Sequence, residues 1–157
     1  MRNTGFRALF SALVLLSISA TTPALSNDKD IVTAESAKLE GTYAVVGMET
    51  NGESAPPKVL EEMKSLRMVI KGNTLTILKA GDNGKDKVQT ITVDPAKSPK
   101  QIDITREFGT TKKTALGIYS LDGKTLKICA DDSGKERPTA FETKKGVHVS
   151  IVVLEKQ

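Results

Sequence analysis

Residues 117–141 read GIYSLDGKTLKICADDSGKERPTAF, the pattern of a β-hairpin followed by a polar turn and the start of another strand. Asp122-Gly123 tolerates the positive φ angles of a tight type I′ turn and is flanked on both sides by β-favouring residues. A two-residue loop at these positions pairs Tyr119 with Leu126 and Gly117 with Ile128, because the loop of a hairpin fixes the register of its strands.

Alternation along the two strands separates two faces of this hairpin. One face is predicted to lie in the core and carries Gly117, Tyr119, Leu126 and Ile128. The other face is predicted to meet solvent and carries Ile118, Ser120, Thr125, Lys127 and Cys129. Asp122 and Gly123 are therefore assigned a structural role, as the turn that sets both faces.

Three further motifs accompany the hairpin: LEGTY at residues 39–43, IDIT at 102–105 and GKERPTAF at 134–141. Together with GIYSLDGKTLKIC they resemble an uncharacterised family of small bacterial domains described as lipocalin-like. The resemblance covers roughly residues 39–155. It implies a lipocalin-like β-barrel and brings no activity with it.

The remaining chain supplies alternating segments of strand length. The segment 66–78 turns at Gly72-Asn73, which pairs Ile70 with Leu75 and Met68 with Ile77, so that register and hydrophobic pattern agree. Ser54, two prolines and a change of period predict one short helix at residues 54–65, which closes a mouth of the barrel or lies on the outer wall over Ile118 and Cys129. The other predicted strands are residues 39–49, 87–93, 101–105, 138–143 and 147–154.

These segments give eight or nine strands, separated by turn signals and joined to one helix. We therefore predict an all-β fold, an antiparallel up-and-down barrel of about eight strands that occupies residues 39–157. The polar segment 27–38 has no periodic pattern and is expected to form a flexible lead-in.

Residues 1–26 have the features of a secretory signal peptide. Arg2 and Arg7 form a positive start, residues 8–19 are mostly apolar, and Ala24-Leu25-Ser26 is a small-x-small cleavage site. The apolar stretch falls short of the ~20 residues that span a membrane, so we expect no membrane span. The mature protein is expected to begin near Asn27 and to reside in the periplasm or outside the cell, and the intact mass of the native protein tests this.

Charge and cysteine content limit the possible partners. Removal of Arg2 and Arg7 leaves 21 basic against 19 acidic side chains, a net charge of +2. With no basic block and no tryptophan, the chain lacks the clustered charge and stacking aromatics of a nucleic-acid surface. Cys129 is the one cysteine, so the chain has no internal disulfide and its stability must come from packing.

No constellation of catalytic or metal-binding residues is visible in the sequence. His148 is the one histidine and is predicted to face away from Val147, Val149, Ile151 and Val153, towards solvent or the rim. A catalytic triad or a histidine metal site needs convergent partners, and the loop at residues 80–86 misses the EF-hand spacing. We therefore expect neither an enzyme nor a cofactor.

Arg137 is the charged residue that has two competing interpretations. The Gly-x-aromatic spacing of Gly41 and Tyr43 resembles the Gly-x-Trp opening of lipocalin-type barrels, in which a late arginine commonly packs over the aromatic ring. Arg137 is accordingly a candidate to stack on Tyr43, a contact worth about 0.5–2 kcal/mol. The alternative is an exposed turn residue paired with Glu136 or Asp132.

Two functions from different classes remain open. An eight-stranded barrel either holds one small molecule or is filled by its own side chains. The first hypothesis is an exported barrel that binds a small apolar ligand; its candidate ligand-binding residues are Tyr43, Val45, Met68, Ile77, Gly117 and Tyr119. The second is a side-chain-filled barrel that serves as a structural or inhibitor-like interaction module and contacts an envelope protein. A monomer is expected in both cases.

Overall fold

A computed structural model describes residues 28–80 and 82–157 of the chain. The predicted signal peptide lies outside these residues. The elements are α1 (Asp28–Leu39), β1 (Gly41–Thr50), β2 (Glu53–Ser54), α2 (Pro57–Lys64), β3 (Arg67–Lys71), β4 (Thr74–Ile77), a 3₁₀ turn (Asp82–Gly84), β5 (Lys87–Asp94), β6 (Gln101–Phe108), β7 (Thr111–Asp122), β8 (Thr125–Asp131) and β9 (Val149–Lys156).

The strands form a closed antiparallel barrel. From β3 to β9 each strand pairs with the next in sequence, and β1 pairs with both β3 and β9, which closes the circle. The short β2 adds to β1 outside this circle, so eight of the nine strands build the barrel wall. The predicted up-and-down, lipocalin-like barrel is confirmed.

The β3–β4 hairpin has the predicted register, with Ile70 opposite Leu75 and Met68 opposite Ile77. The register of the β7–β8 hairpin was predicted wrongly by two residues. Its pairs are Leu121 with Leu126 and Tyr119 with Ile128.

The loop between β7 and β8 is Gly123-Lys124 in place of the predicted Asp122-Gly123. Gly123 has a φ of +56°, and a glycine at the first central position is the mark of a type II′ turn. A shift of two residues leaves every side chain on its predicted face, because the side-chain period of a strand is two. Leu126 and Ile128 accordingly lie in the core.

The outward face of this hairpin is covered, which corrects the prediction that it meets solvent. Ile118 and Cys129 are buried with Ile151 in a second apolar cluster on the outside of the barrel, beneath Phe141. The segment 138–143, predicted to be a strand, has no regular structure and belongs to the loop 132–148 that crosses this surface. Cys129 Sγ lies 3.6 Å from the carbonyl oxygen of Ala140, and burial raises the pKa of this thiol.

Strand β9 therefore presents its two faces to two different clusters. Val149, Ile151 and Val153 pack in the outer cluster, whereas Val152 and Leu154 face the barrel interior. His148 precedes the strand and is exposed.

Asp131, the last residue of β8, fixes the beginning of the loop 132–148. Its carboxylate accepts hydrogen bonds from Ser133 Oγ (2.6 Å) and from the backbone N–H groups of Ser133, Lys135 and Glu136. Burial alone would raise the pKa of Asp131, but these hydrogen bonds outweigh it and lower the pKa to about 2.

This depressed pKa predicts a specific acid sensitivity. A carboxyl group whose pKa is lower in the folded protein than its ordinary value of about 3.9 stabilises the fold above that value. The stabilisation is lost as pH falls towards about 2. Urea unfolding at a series of acidic pH values measures the effect. As pH falls, the free energy of unfolding should decrease less for Asp131→Asn than for wild type, whereas Asp122→Asn, at an exposed turn, should follow wild type. The same pH dependence of the free energy of unfolding in all three proteins would contradict the assignment.

The segment expected to be a flexible lead-in is helix α1 over Asp28–Leu39, so that expectation was wrong. Its residues Glu35 and Leu39 are buried against the barrel. Tyr43 donates a hydrogen bond from its hydroxyl to the carbonyl oxygen of Leu39 over 2.8 Å. Helix α1 thereby closes one end of the barrel.

The helix predicted at residues 54–65 is α2, with proline at its first turn. It packs beside β1, and Met63 contacts the interior core from there. The alternative position over Ile118 and Cys129 is wrong, because the loop 132–148 occupies it.

Candidate functional site

The end of the barrel under α1 is filled by side chains. Tyr43, Val45 and Tyr119 are at most 1 % exposed and pack with Leu39. Glu35, 5 % exposed, receives Lys100 Nζ at 2.5 Å and the Tyr119 hydroxyl at 3.3 Å.

The charges at this end stabilise the docked helix. Burial would raise the pKa of Glu35, but its contacts with Lys100 and Lys38 lower the pKa on balance. The pKa of Tyr119 is raised by burial and by the neighbouring Glu35 carboxylate. Both groups therefore keep their ordinary charge at neutral pH, the carboxylate ionised and the phenol neutral.

Gly117 lies on the interior face, but the wall is closed around it. A Cβ atom added there would lie 2.9 Å from the carbonyl oxygen of Cys129 and 3.1 Å from the Cβ of Ala130. Gly117 therefore adds no space to the interior.

The opposite half of the barrel contains an open cavity of about 90 Å³. Most of its wall is apolar and consists of Met68, Leu75, Ile77, Ile104, Ile128, Ala130, Val152 and Leu154. Four polar residues complete it: Gln89, Arg106, Asp132 and Ser150. Of the six residues predicted to bind a ligand, Met68 and Ile77 line this cavity; Tyr43, Val45, Gly117 and Tyr119 do not.

The four polar side chains form one network. Arg106 Nη1 lies 3.0 Å from Asp132 Oδ1, and Arg106 Nε donates to Gln89 Oε1 over 3.5 Å. Ser150 Oγ donates to Asp132 Oδ2 over 3.4 Å. Gln89 is only 4 % exposed, and among the described residues its Nε2 has no hydrogen-bond acceptor. The cavity thus contains an unpaired amide donor beside a guanidinium group.

Strand periodicity explains why these polar residues point inward. Ile102 and Ile104 face the core, so Arg106 follows them on the same face at period two. Gln89 precedes Ile91 and Val93 in the same way on β5. We missed Arg106 in the sequence because the predicted strand stopped at residue 105; the same alternation, continued by one step, would have found it.

A second cation lies beside Arg106, although it does not line the cavity. Lys113 pairs directly with Arg106 across β6 and β7 and therefore lies on the same inward face. Two like charges in such a position repel one another, and Asp132 is the carboxylate that the structure places against Arg106. Lys113 therefore adds a second positive charge next to the Arg106–Asp132 pair.

Arg137 takes neither of its two predicted positions. Its Nη1 donates to the carbonyl oxygens of Gly117 (2.6 Å) and Ile102 (3.3 Å), and its Nη2 lies 2.7 Å from Asp103 Oδ1. The guanidinium therefore fastens the loop 132–148 to the outside of β6 and β7. The cation that lies over the Tyr43 ring is Lys156, 6.0 Å from its centroid.

A wider groove of about 480 Å³ lies on the outer surface along the loop 132–148. Asp131, Ser133 and His148 all border it. The Ser133 hydroxyl donates to Asp131, and no hydrogen bond joins it to His148 among the residues that the structure covers. This arrangement is a loop anchor and lacks the nucleophile–base contact of acyl-transfer chemistry. Within the described residues, no three His, Cys, Asp or Glu side chains are grouped to hold a metal ion.

Comparison with known proteins found no matching family model, curated protein or solved structure. No helix in the described ranges 28–80 and 82–157 is long and apolar enough to cross a membrane.

Proposed function

We propose that the protein is an exported lipocalin-like barrel that binds a small amphipathic anion, an aliphatic chain carrying a carboxylate. The observation that carries the proposal is the cavity that joins an apolar wall to Arg106, a guanidinium on the interior face of β6. A guanidinium group is well suited to bind a carboxylate because it offers paired N–H donors and a permanent positive charge.

The chemistry of the wall defines the orientation of the ligand. Buried apolar side chains such as Leu75 and Ile104 line the cavity, and Arg106 is the partly exposed cation of the network. An aliphatic chain would therefore enter first and leave its carboxylate at the mouth, beside Arg106 and Lys113. The unused Nε2 donor of Gln89 would supply a further hydrogen bond.

The size of the cavity limits the ligand to a short chain. Pockets for drug-sized ligands typically measure about 300–1,000 Å³, and a cavity of about 150 Å³ accepts benzene. A volume of about 90 Å³ accommodates a few carbon atoms, with the carboxylate outside. Butanoate and hexanoate are suitable probes.

The export component of the proposal is supported by the leader-like pattern of residues 1–26. The family resemblance is supported by the motifs LEGTY, IDIT and GKERPTAF, of which the first two contribute to β1 and β6 of the closed barrel and the third lies in the loop 132–148 on its outside. Intact-mass measurement of the protein from its native cells tests export, because a retained apolar leader would contradict it.

The competing function is a side-chain-filled barrel that acts as a structural or interaction module. One observation favours it: the end near α1 is closed by Tyr43, Tyr119 and Leu39, so most of the interior is occupied. The two functions differ in a measurable property, since only the first includes saturable binding of a carboxylate inside the barrel.

Calorimetric titration with straight-chain carboxylates from butanoate to decanoate tests the proposal. We expect saturable binding by wild type and about three- to fivefold weaker binding by Lys113→Gln, the loss of one partly exposed charge contact. Arg106→Gln should weaken binding about tenfold or more, because it removes hydrogen bonds to a charged group. The matched control is Lys112→Gln, whose ammonium pairs with Glu107 on the outer face; its affinity should equal that of wild type.

The location of the ligand can be checked independently by methyl NMR of labelled methionine. Met68 lines the cavity and should shift on titration, whereas Met63 on α2 should not. Failure of the wild-type protein to bind any of these carboxylates would overturn the proposal and favour the filled barrel.

A further inference from the structure

The position that a ligand carboxylate would take at the mouth already holds a carboxylate of the protein. Asp132 Oδ1 lies 3.0 Å from Arg106 Nη1, and Asp132 Oδ2 accepts from Ser150 Oγ over 3.4 Å. These two donors, on β6 and β9, both line the cavity. A ligand anion that binds both donors must therefore take the place of the Asp132 carboxylate.

We propose that Asp132 is a built-in competitor for the ligand anion and sets the affinity and selectivity of the cavity. The inference rests on the proposed function, since it concerns the same site. A bound carboxylate replaces the Asp132 carboxylate at Arg106 and Ser150, and the displaced side chain turns to solvent. A ligand whose head group is a weaker hydrogen-bond acceptor does not displace the Asp132 carboxylate, so Asp132 selects for ligands with strong acceptors.

The exposure of the ion pair makes the exchange feasible. The side chains of Arg106 and Asp132 are 32 % and 42 % exposed, so both charges remain accessible to water when the ion pair opens. Ion pairs as exposed as this contribute little to stability, typically about 0–1 kcal/mol. The Arg106–Asp132 pair therefore contributes little to the stability of the barrel. Its main effect is on the binding of anions to Arg106.

The backbone around Asp132 is held by other contacts. The N–H of Asp132 donates to the carbonyl oxygen of His148 over 3.0 Å, which joins the two ends of the loop 132–148. The beginning of that loop is fixed by the carboxylate of Asp131. Displacement of the Asp132 side chain disturbs neither contact, so Asp132→Asn is expected to fold as wild type does.

Titration of hexanoate into wild type, Asp132→Asn and Glu107→Gln tests the inference. Glu107→Gln is the matched control because it removes a rim carboxylate that pairs with Lys112 on the outer face, and it changes the net charge equally. Asp132→Asn should bind hexanoate about five- to tenfold more tightly than wild type, because competition and charge repulsion are both removed. Glu107→Gln should change the affinity by less than about twofold, since its charge is exposed and screened.

The outcomes separate this inference from the proposed function. Binding by wild type with no gain in Asp132→Asn, or an equal gain in Glu107→Gln, overturns the role of Asp132 and leaves the proposed function standing. Absence of binding in all three proteins overturns both. Binding that appears only in Asp132→Asn supports the role of Asp132 as a competitor and overturns the proposed function of the wild-type protein, because the internal carboxylate then keeps the anion out of the cavity.

Discussion

Gly117→Leu is expected to destabilise the barrel by several kcal/mol, more than the ~1–3 kcal/mol that ordinary overpacking costs. The Cβ atom of any side chain at this position would lie 2.9 Å from the carbonyl oxygen of Cys129 and 3.2 Å from that of Ile102. Both atoms belong to the backbone of neighbouring strands and cannot move aside without breaking sheet pairing.

Urea unfolding followed by circular dichroism measures this effect. Ser120→Leu is the matched control, because Ser120 lies in the same strand and is exposed on the outer face; it should change the free energy of unfolding by about 0.5 kcal/mol or less. A Gly117→Leu protein as stable as the control would contradict the close approach of the strands around Gly117. The same substitution cannot report on the cavity, since its clash arises in the wall whether or not the interior is open.

The barrel and its hairpins could be predicted because turn chemistry and alternation constrain them locally. At Gly72-Asn73 both signals select one register, and the observed β3–β4 pairing is that register. At residues 122–124 the glycine can occupy either position of a two-residue loop. The two resulting registers differ by two residues and place the same side chains in the core, so the sequence defined the faces without defining the pairs.

Helix α1 could not be predicted because its stabilising contacts are distant in sequence. It has no apolar stripe, and it docks through Leu39 and the carboxylate of Glu35. The partners of Glu35 are Lys100 and Tyr119, which are 65 and 84 residues further along the chain. A polar segment without periodicity gives no sign of such partners.

The loop 132–148 shows how long-range contacts override strand propensity. Residues 138–143 have an acceptable strand pattern, but Arg137 binds the outside of the wall at Gly117 and Asp103. Beyond it, Thr143 Oγ1 donates to Glu49 and accepts from the N–H of Gly52. These anchors hold the segment flat over Ile118 and Cys129, where it covers apolar surface and pairs with no strand.

Part of the apolar side of the candidate site could be predicted from alternation alone. Met68 and Ile77 were correctly placed inside because their hairpin was correctly registered. Tyr43 and Tyr119 also face inward, but no pattern in the sequence indicates that a helix closes their end of the barrel. The polar side of the cavity depends on Arg106, and its inward direction follows from the same period as Ile102 and Ile104.

Leu126→Ala is expected to lower the free energy of unfolding by about 2–5 kcal/mol, the cost of a large-to-small change in a packed core. Leu126 is fully buried, stands opposite Leu121 in β7 and Leu154 in β9, and does not line the cavity. The space vacated by its side chain is therefore closed to solvent, and the loss of contacts is not offset by water.

The matched control is Lys127→Ala, one residue further along β8. Lys127 points outward as predicted but is half-buried, with its ammonium 5.4 Å from the centroid of the Phe141 ring. Removal of this cation–π contact should cost no more than about 1 kcal/mol. Equal losses at the two positions in urea unfolding would place Leu126 and Lys127 in similar surroundings, which contradicts the alternation of β8. A loss of several kcal/mol at Leu126 alone requires that β8 present Leu126 to the barrel interior and Lys127 to its outside. The same alternation places Ile128 and Ala130 in the cavity wall, so this result also tests their positions.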